Sequence, residues 1–232
     1  MYDAVIFDLF GTLVDQPTLP APLGEEFRRT MSDVAAALSI PQPDLLRLWS
    51  GTVHQRDSGD FPTIELNLEH ICRESGIQAD AGQIARAVGL RLEYMRNALT
   101  PRDDTLETLA GLKASGYKIG LVSDYSVEVS NLWPAGPLAS LFDVAILSCE
   151  VRITKPDPRV YEMVCQGLQV SPNRCLYVGD GGSGELTGAS EFGMEVVLIH
   201  APYDTVSGSR EDWPGTRIAA INEVLALVNR PS

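Results

Sequence analysis

The stretch MYDAVIFDLFGTLVD, residues 1–15, decides how the rest of the chain is read. Within it AVIFD, residues 4–8, is a short apolar run rich in β-formers, and it reads as a buried strand. The strand ends on a carboxylate, Asp8, and DLFGT (8–12) continues into a turn at Phe10–Gly11. A charged group at the end of a buried strand belongs to a sheet edge, where chemistry can reach it. A phenylalanine, Phe10, stands two residues later.

Working outward, four more runs look like the first: KIGLVSD (118–124), DVAILS (143–148), RCLYVGD (174–180) and MEVVLI (194–199). Helical patterns separate them. DTLETLAGLKASG (104–116) has helical apolar spacing and stops at Gly116. RVYEMVCQGLQV (159–170) follows Pro158, a good first-turn residue. ELTGASEFG (185–193) and INEVLALVN (221–229) complete the set. Strands alternating with helices predict parallel βαβ units and a doubly wound, Rossmann-like α/β sheet. Right-handed crossovers then gather the strand C-termini along one edge.

Residues 16–100 break the alternation. They read as helices only, over 24–39, 43–55, 62–76 and 81–99, and predict a helical domain inserted after the first strand. Its proline-marked flanks, QPTLPAP (16–22) and LTPRDD (99–104), suit hinges. The core is then 1–15 together with 101–232.

A chain of 232 residues has room for a sizeable core plus such an insertion. The formal charge of −13 argues against a surface built for nucleic acid or acidic lipid, though not against a locally positive pocket for a small anion. No apolar run is long enough to span a bilayer. Asp3 and Asp8 interrupt the first apolar run and no basic leader precedes it, so a signal peptide is not expected. The four cysteines, none spaced C-x-x-C, read as reduced thiols, and the expected location is cytoplasmic. An apolar patch on the helical insert would suffice to pair two subunits as a homodimer.

Several polar groups fall just past predicted strand ends: Asp8, Ser123, Lys155 in ITKPDP (153–158), and Asp180 in VGDGGSGE (178–185). In an open α/β sheet, that edge is where ligands bind. Two carboxylates and a main-chain carbonyl suit Mg²⁺, which prefers oxygen ligands. Shielded by such a cation, Asp8 can attack phosphorus and form an aspartyl-phosphate. Lys155 would hold Asp8 as the anion and bind a phosphate oxygen. The Ser123 hydroxyl and the amides of the Phe10–Gly11 turn can donate to the remaining oxygens.

These four motifs, in this order and over nearly the whole chain, resemble the haloacid dehalogenase-like hydrolases, and the helical insert resembles that superfamily's small helical cap. The resemblance implies a metal-dependent phosphatase for a small phosphorylated metabolite. Asp8 is then the nucleophile, with Ser123 and Lys155 as its catalytic partners. It further implies metal ligation by Asp8, the main-chain carbonyl of Phe10, Asp180, and Glu185 directly or through water. Gly11 and Thr12 would lie against the phosphate.

Phe10 departs from the pattern. Phosphatases of this superfamily usually carry a second aspartate there as general acid and base, and its loss costs about 10² to 10⁴ in rate. Two rival readings follow: a 2-haloacid dehalogenase, whose halide leaves without a proton, and a catalytically weak phosphate-binding or regulatory protein. GDGGSGE keeps the acidic, metal-binding form, which weighs toward the phosphatase. In the insert, VHQRDSGDF (53–61) is expected to interrupt two helices and to present His54, Gln55, Arg56 and Asp57 to the site, with Arg56 and His54 choosing the substrate. Trp49 and Phe61 read as core, and Cys149 as buried filler.

Overall fold

The computed structural model describes residues 2–15, 23–201 and 210–229. The sheet has six parallel strands: β1 (Ala4–Phe7), β2 (Lys118–Ser123), β3 (Val144–Leu147), β4 (Cys175–Gly179), β5 (Glu195–Ile199) and β6 (Thr216–Ile218). Their order is β3-β2-β1-β4-β5-β6. The chain therefore winds outward from β1 in both directions. The point where the winding reverses lies between β1 and its neighbour β4, at the carboxyl end of both.

Parallel strands covered on both faces must be apolar throughout, and AVIF of β1 is buried at every position. Alternation along the strand splits the core in two. Val5 and Phe7 point into one layer with Leu121, Val178, Leu109 and Val224. Ala4 and Ile6 point into the other with Val122, Tyr177, Tyr161 and Leu186.

Between β1 and β2 the described chain holds only helices: α1 (Leu23–Leu38), α2 (Gln42–Gly51), α3 (Val53–Asp57), α4 (Ile64–Glu74), α5 (Ala81–Ala98) and α6 (Thr105–Ala114). The remaining α-helices among the described residues are α7 (Val127–Leu132), α8 (Ser148–Val151), α9 (Pro158–Leu168), α10 (Glu185–Glu191) and α11 (Glu223–Val228). Helices α1, α2, α4 and α5 enclose a third core of their own, built on Met31, Leu38, Leu45, Trp49, Leu68 and Ala87. Asp80 and Gln83 close a reciprocal capping box that starts α5.

The two connections to this helical layer are tied together. Val14 bridges to Pro101, Arg102 N donates to Leu13 O at 3.0 Å, and Thr105 Oγ1 donates to the same oxygen at 2.9 Å. The proline-marked segment at 16–22 lies outside the described residues. No described helix is long and apolar enough to cross a membrane.

Several details differ from the sequence reading. Each expected strand that began or ended on a polar residue is shorter, because Asp8, Asp124 and Asp180 have left the ladder for the loops. The edge strand β6 was not anticipated: its three residues, TRI, are too few to show an alternation. Residues 53–57 do not interrupt the helices but form α3, directly after α2, where Thr52 Oγ1 caps back onto Trp49 O at 3.1 Å. Phe61 is half-buried against the His70 ring, with centroids 5.3 Å apart, rather than in the core.

Candidate active site

Asp8 leaves β1 with its amide still paired to Val178 O of β4, at 3.0 Å, so the carboxylate is held at the winding reversal. The turn that follows is sharp, and Gly11 takes φ of +83°, which a side chain would resist. Thr12 Oγ1 reaches back to Asp8 Oδ2 at 3.2 Å. On the other oxygen, Lys155 Nζ donates to Asp8 Oδ1 at 2.7 Å. The same ammonium donates to Glu185 Oε2 at 2.6 Å, and so ties the ends of β1, of the β3–α9 loop and of the β4–α10 loop together.

Glu185 is fully buried and well supplied with donors. Tyr177 OH reaches Oε2 at 2.9 Å and Gly181 N reaches Oε1 at 3.0 Å. Gly179 makes room for it, since a Cβ there would collide with Oε1. Asp180 accepts from Gly182 N at 2.8 Å and pairs with Arg210 at 2.8 Å. One carboxylate oxygen from each of Asp8, Asp180 and Glu185 lies within 4.8 Å of the others.

The electrostatics follow from that crowding. Burial raises the Asp8 carboxyl above the usual aspartate range; the Asp180 charge raises it further, against the pull of Lys155. Burial, then the Asp8 charge, pushes Glu185 up to about 8. Lys155 goes the other way: desolvation alone would lower it, but Asp8 and Glu185 hold its ammonium well above the ordinary lysine value. The site has more buried carboxylate than buried cation. Its oxygen-only donor set and excess negative charge fit a hard divalent cation.

Of the residues expected from the sequence, Asp8, Lys155, Asp180 and Glu185 come together in one buried cluster, and Ser123 ends β2 beside it, 1 % exposed. Gly11 and Thr12 are engaged internally. Gly11 N donates to Val14 O at 2.7 Å, and the buried Thr12 hydroxyl orients Asp8. Phe10 is buried, with its ring stacked on Tyr125 at 4.2 Å between centroids.

Two charged groups entered the site without a sequence signal. Asp124 accepts the Lys155 amide on both oxygens at 3.1 Å, fixing the loop that aims the ammonium. Arg210 arrives from a segment with no motif of its own.

Beside this cluster, between the helical layer and the core, lies a cavity of about 330 Å³. Its core wall is Asp124, Tyr125, Ser126 and Glu128, the residues that follow Ser123. Arg56, Asp57 and Trp49 face them from α2 and α3, and Arg91 from α5. Arg56 Nη1 donates to Trp49 O at 2.6 Å and to Thr52 Oγ1 at 2.7 Å, and its guanidinium lies 4.1 Å from the Trp49 ring centroid. His54, expected beside Arg56, is exposed and is not among the cavity residues. Half-buried Cys149 has its thiol pushed up to about 11 by burial and by Glu150, as suits an inert side chain.

Residues 2–193 match the family model of the haloacid dehalogenase-like hydrolases. The chain belongs to that family and is a hydrolase. Among curated relatives, it is 28% identical over 200 residues to (S)-2-haloacid dehalogenase 4A of Burkholderia cepacia, covering 85% of this chain and 82% of that one. It is 26% identical over 231 residues to a glyceraldehyde 3-phosphate phosphatase of Methanopyrus kandleri, covering 98% and 97%. Its fold is that of a HAD phosphatase crystal structure from Thermococcus onnurineus, with a TM-score of 0.67, 24% identity and coverage of 99% and 98%.

Proposed function

We propose that this hydrolase is a Mg²⁺-dependent phosphatase of the cytoplasm that acts on a small phosphorylated metabolite through an aspartyl-phosphate on Asp8. The observation that carries the reading is the trio Asp8, Asp180 and Glu185, buried and within 4.8 Å of one another. A halide-releasing site needs only one carboxylate to attack carbon. Two further buried acids, of which Glu185 is still pushed up to about 8 despite its ion pair with Lys155, are better accounted for by a further cation.

Asp8, Asp180 and the Phe10 carbonyl would hold the metal, with Glu185 joining directly or through water, since both its oxygens already accept hydrogen bonds. Held there, such an ion would supply neutralisation of the charge on a phosphoryl group. The protein's own groups do the rest. Thr12 and Lys155 each take one oxygen of Asp8 and so set the direction of attack. Lys155 favours the anionic nucleophile and offers its charge to the phosphoryl group. Ser123 donates from the neighbouring strand end. The helical layer, acting as a cap, covers the reacting atoms and excludes water from the first step.

Phe10 and the dehalogenase relative favour a second reading, attack of Asp8 on the carbon of a 2-haloacid. One experiment separates the two: a screen of phosphorylated metabolites with Mg²⁺ and with EDTA, run beside a chloride-release assay. Phosphate release that requires Mg²⁺ supports the phosphatase. Chloride release undiminished in EDTA overturns it. Tight binding of phosphorylated ligands without release of either product would support a binding protein.

A further inference from the structure

An alcohol leaves phosphorus as an alkoxide unless it receives a proton, and the described groups nearest Asp8 are poorly placed to give one: both oxygens of Glu185 are already engaged by Lys155, Tyr177 and Gly181. Phe10 has none to give. Lys155 is pinned between Asp8 and Glu185 and held charged. Thr12 is buried with its hydroxyl turned to Asp8. The cavity next to the site holds three carboxylates, and they are not equivalent. Asp124 is bound to the Lys155 amide. Glu128 takes a two-pronged contact from Arg91, at 2.8 and 2.9 Å, and a third bond from Ser126 at 3.1 Å. Among the described residues nothing hydrogen-bonds the carboxyl of Asp57, which acts on its neighbours, and they on it, through charge alone.

Asp57 sits on α3, across the cavity from the segment that follows Ser123. Phe10 stacks on Tyr125 of that same segment, so a ring that lines the cavity packs directly against the nucleophile's turn. Asp124, which holds the Lys155 amide, joins this cavity to the Asp8 cluster, so a leaving group directed from Asp8 toward the cap would meet it. We propose that Asp57 is the general acid and base of the reaction, reaching the leaving oxygen from the cap side and filling the role that the Phe10 side chain cannot. The proposal rests on the phosphatase reading.

In the first step the bond from Asp8 oxygen to phosphorus forms, the bond from phosphorus to the leaving oxygen breaks, and the Asp57 proton passes to that oxygen. In the second, a water oxygen bonds to phosphorus as its proton passes to the Asp57 carboxylate, and Asp8 leaves with its own electron pair, releasing phosphate. Each turnover restores the protonated Asp57.

The surroundings are suited to this. Burial pushes the Asp57 carboxyl up to about 6, Arg56 and His54 on its own helix oppose the rise, and Asp124 and Glu128 add to it. Tyr125 of the core, Arg91 and Tyr94 of α5 and Cys149 of α8 also face this region. An acid that titrates near neutrality can both give and take a proton there.

The test compares Asp57→Asn with the unaltered protein on two substrates, an activated aryl phosphate and an alkyl phosphate. Asn removes a buried charge, so the melting temperature at pH 7 should not fall. The expected result is a loss in kcat/KM of about 10²-fold or more on the alkyl phosphate, and severalfold at most on the aryl one. The decline in alkyl-phosphate kcat/KM above about pH 6 should vanish with it. Adding Phe10→Asp to Asp57→Asn should recover part of the alkyl activity by supplying a carboxyl from the other side. Equal losses on both substrates, or an unchanged pH profile, overturn the role of Asp57 while leaving the phosphatase reading intact. No phosphate release from either substrate by the unaltered protein overturns both.

Discussion

Among the described residues, two buried ionic clusters stand out, about equally well sealed and quite differently composed. At the strand ends, the carboxylates of Asp8, Asp180 and Glu185 outnumber the cations of Lys155 and Arg210. Between the helical layer and the core, Arg91 of α5 meets Glu128 of α7 one to one, with both nitrogens of the pair matched to both oxygens. The guanidinium there is packed among aromatic rings, 4.4 Å from Trp49 and 5.1 Å from Tyr94. A balanced, fully bonded pair has nothing left to offer a ligand, and its work is to hold the layers in register. An unbalanced cluster at a crevice stores a demand for positive charge. That contrast, more than burial or proximity, separates the site from the clasp.

The contrast is broken most directly at Asp8. Asp8→Asn should reduce turnover to background while the melting temperature holds or rises, because the change removes a buried charge but little volume. Turnover at the unaltered rate would take Asp8 out of the nucleophile's role. The clasp should behave oppositely. Glu128→Ala leaves Arg91 charged and buried, and should cost about 3–5 kcal/mol in urea unfolding. The double variant Arg91→Met, Glu128→Leu should regain most of it. A Glu128→Ala protein of unaltered stability would show that the pair does not clasp the layers.

The demand for positive charge at the strand ends can be read by titration. Mg²⁺ should raise the melting temperature of the unaltered protein, and Asp180→Ala should weaken that rise. An equal shift in both would locate the ion elsewhere. Asp57 offers a pH test in the cavity beside the clasp. Its carboxyl is raised from 3.8 to about 6 on folding, so the folded state binds the proton more tightly. The stability this proton confers is complete below about pH 4 and lost as pH rises through about 6. Asp57→Asn should flatten that part of the stability profile, by roughly 1–2 kcal/mol after allowance for partial exposure. The smallest effects belong to the cavity rim. Arg56→Ala should change the order of preference among substrates, whereas His54→Ala, on an exposed side chain, should leave that order alone. A substrate profile altered more by His54→Ala than by Arg56→Ala would reverse the assignment.

Local pattern alone determined much of this protein. An apolar run that must be covered on both faces reads as a strand wherever it stands, and β1 to β5 were legible for that reason. So was the gathering of Asp8, Ser123, Lys155 and Asp180, because each lies at or shortly after the end of such a run, and a parallel sheet brings strand ends together whatever the side chains are. Glu185 was reached only through the family resemblance of GDGGSGE, since by itself it reads as a charge at the start of a helix. Only the tertiary structure decided the rest. Arg91 and Glu128 are 37 residues apart on helices with no shared motif, and either would pass for a solvated charge. Arg210 and Asp124 gain their partners from chain crossings that no spacing encodes. His54 and Arg56 differ by two positions, and the turn of α3 exposes one and buries the other. Phe10 reads in the sequence as a missing acid; in the structure it is a ring stacked on Tyr125, and Tyr125 lines a cavity that Asp57 also lines. Which segments become strands follows from a short-range pattern of burial, whereas strand order and the pairing of charges depend on which elements meet, and that is settled by packing over the whole fold.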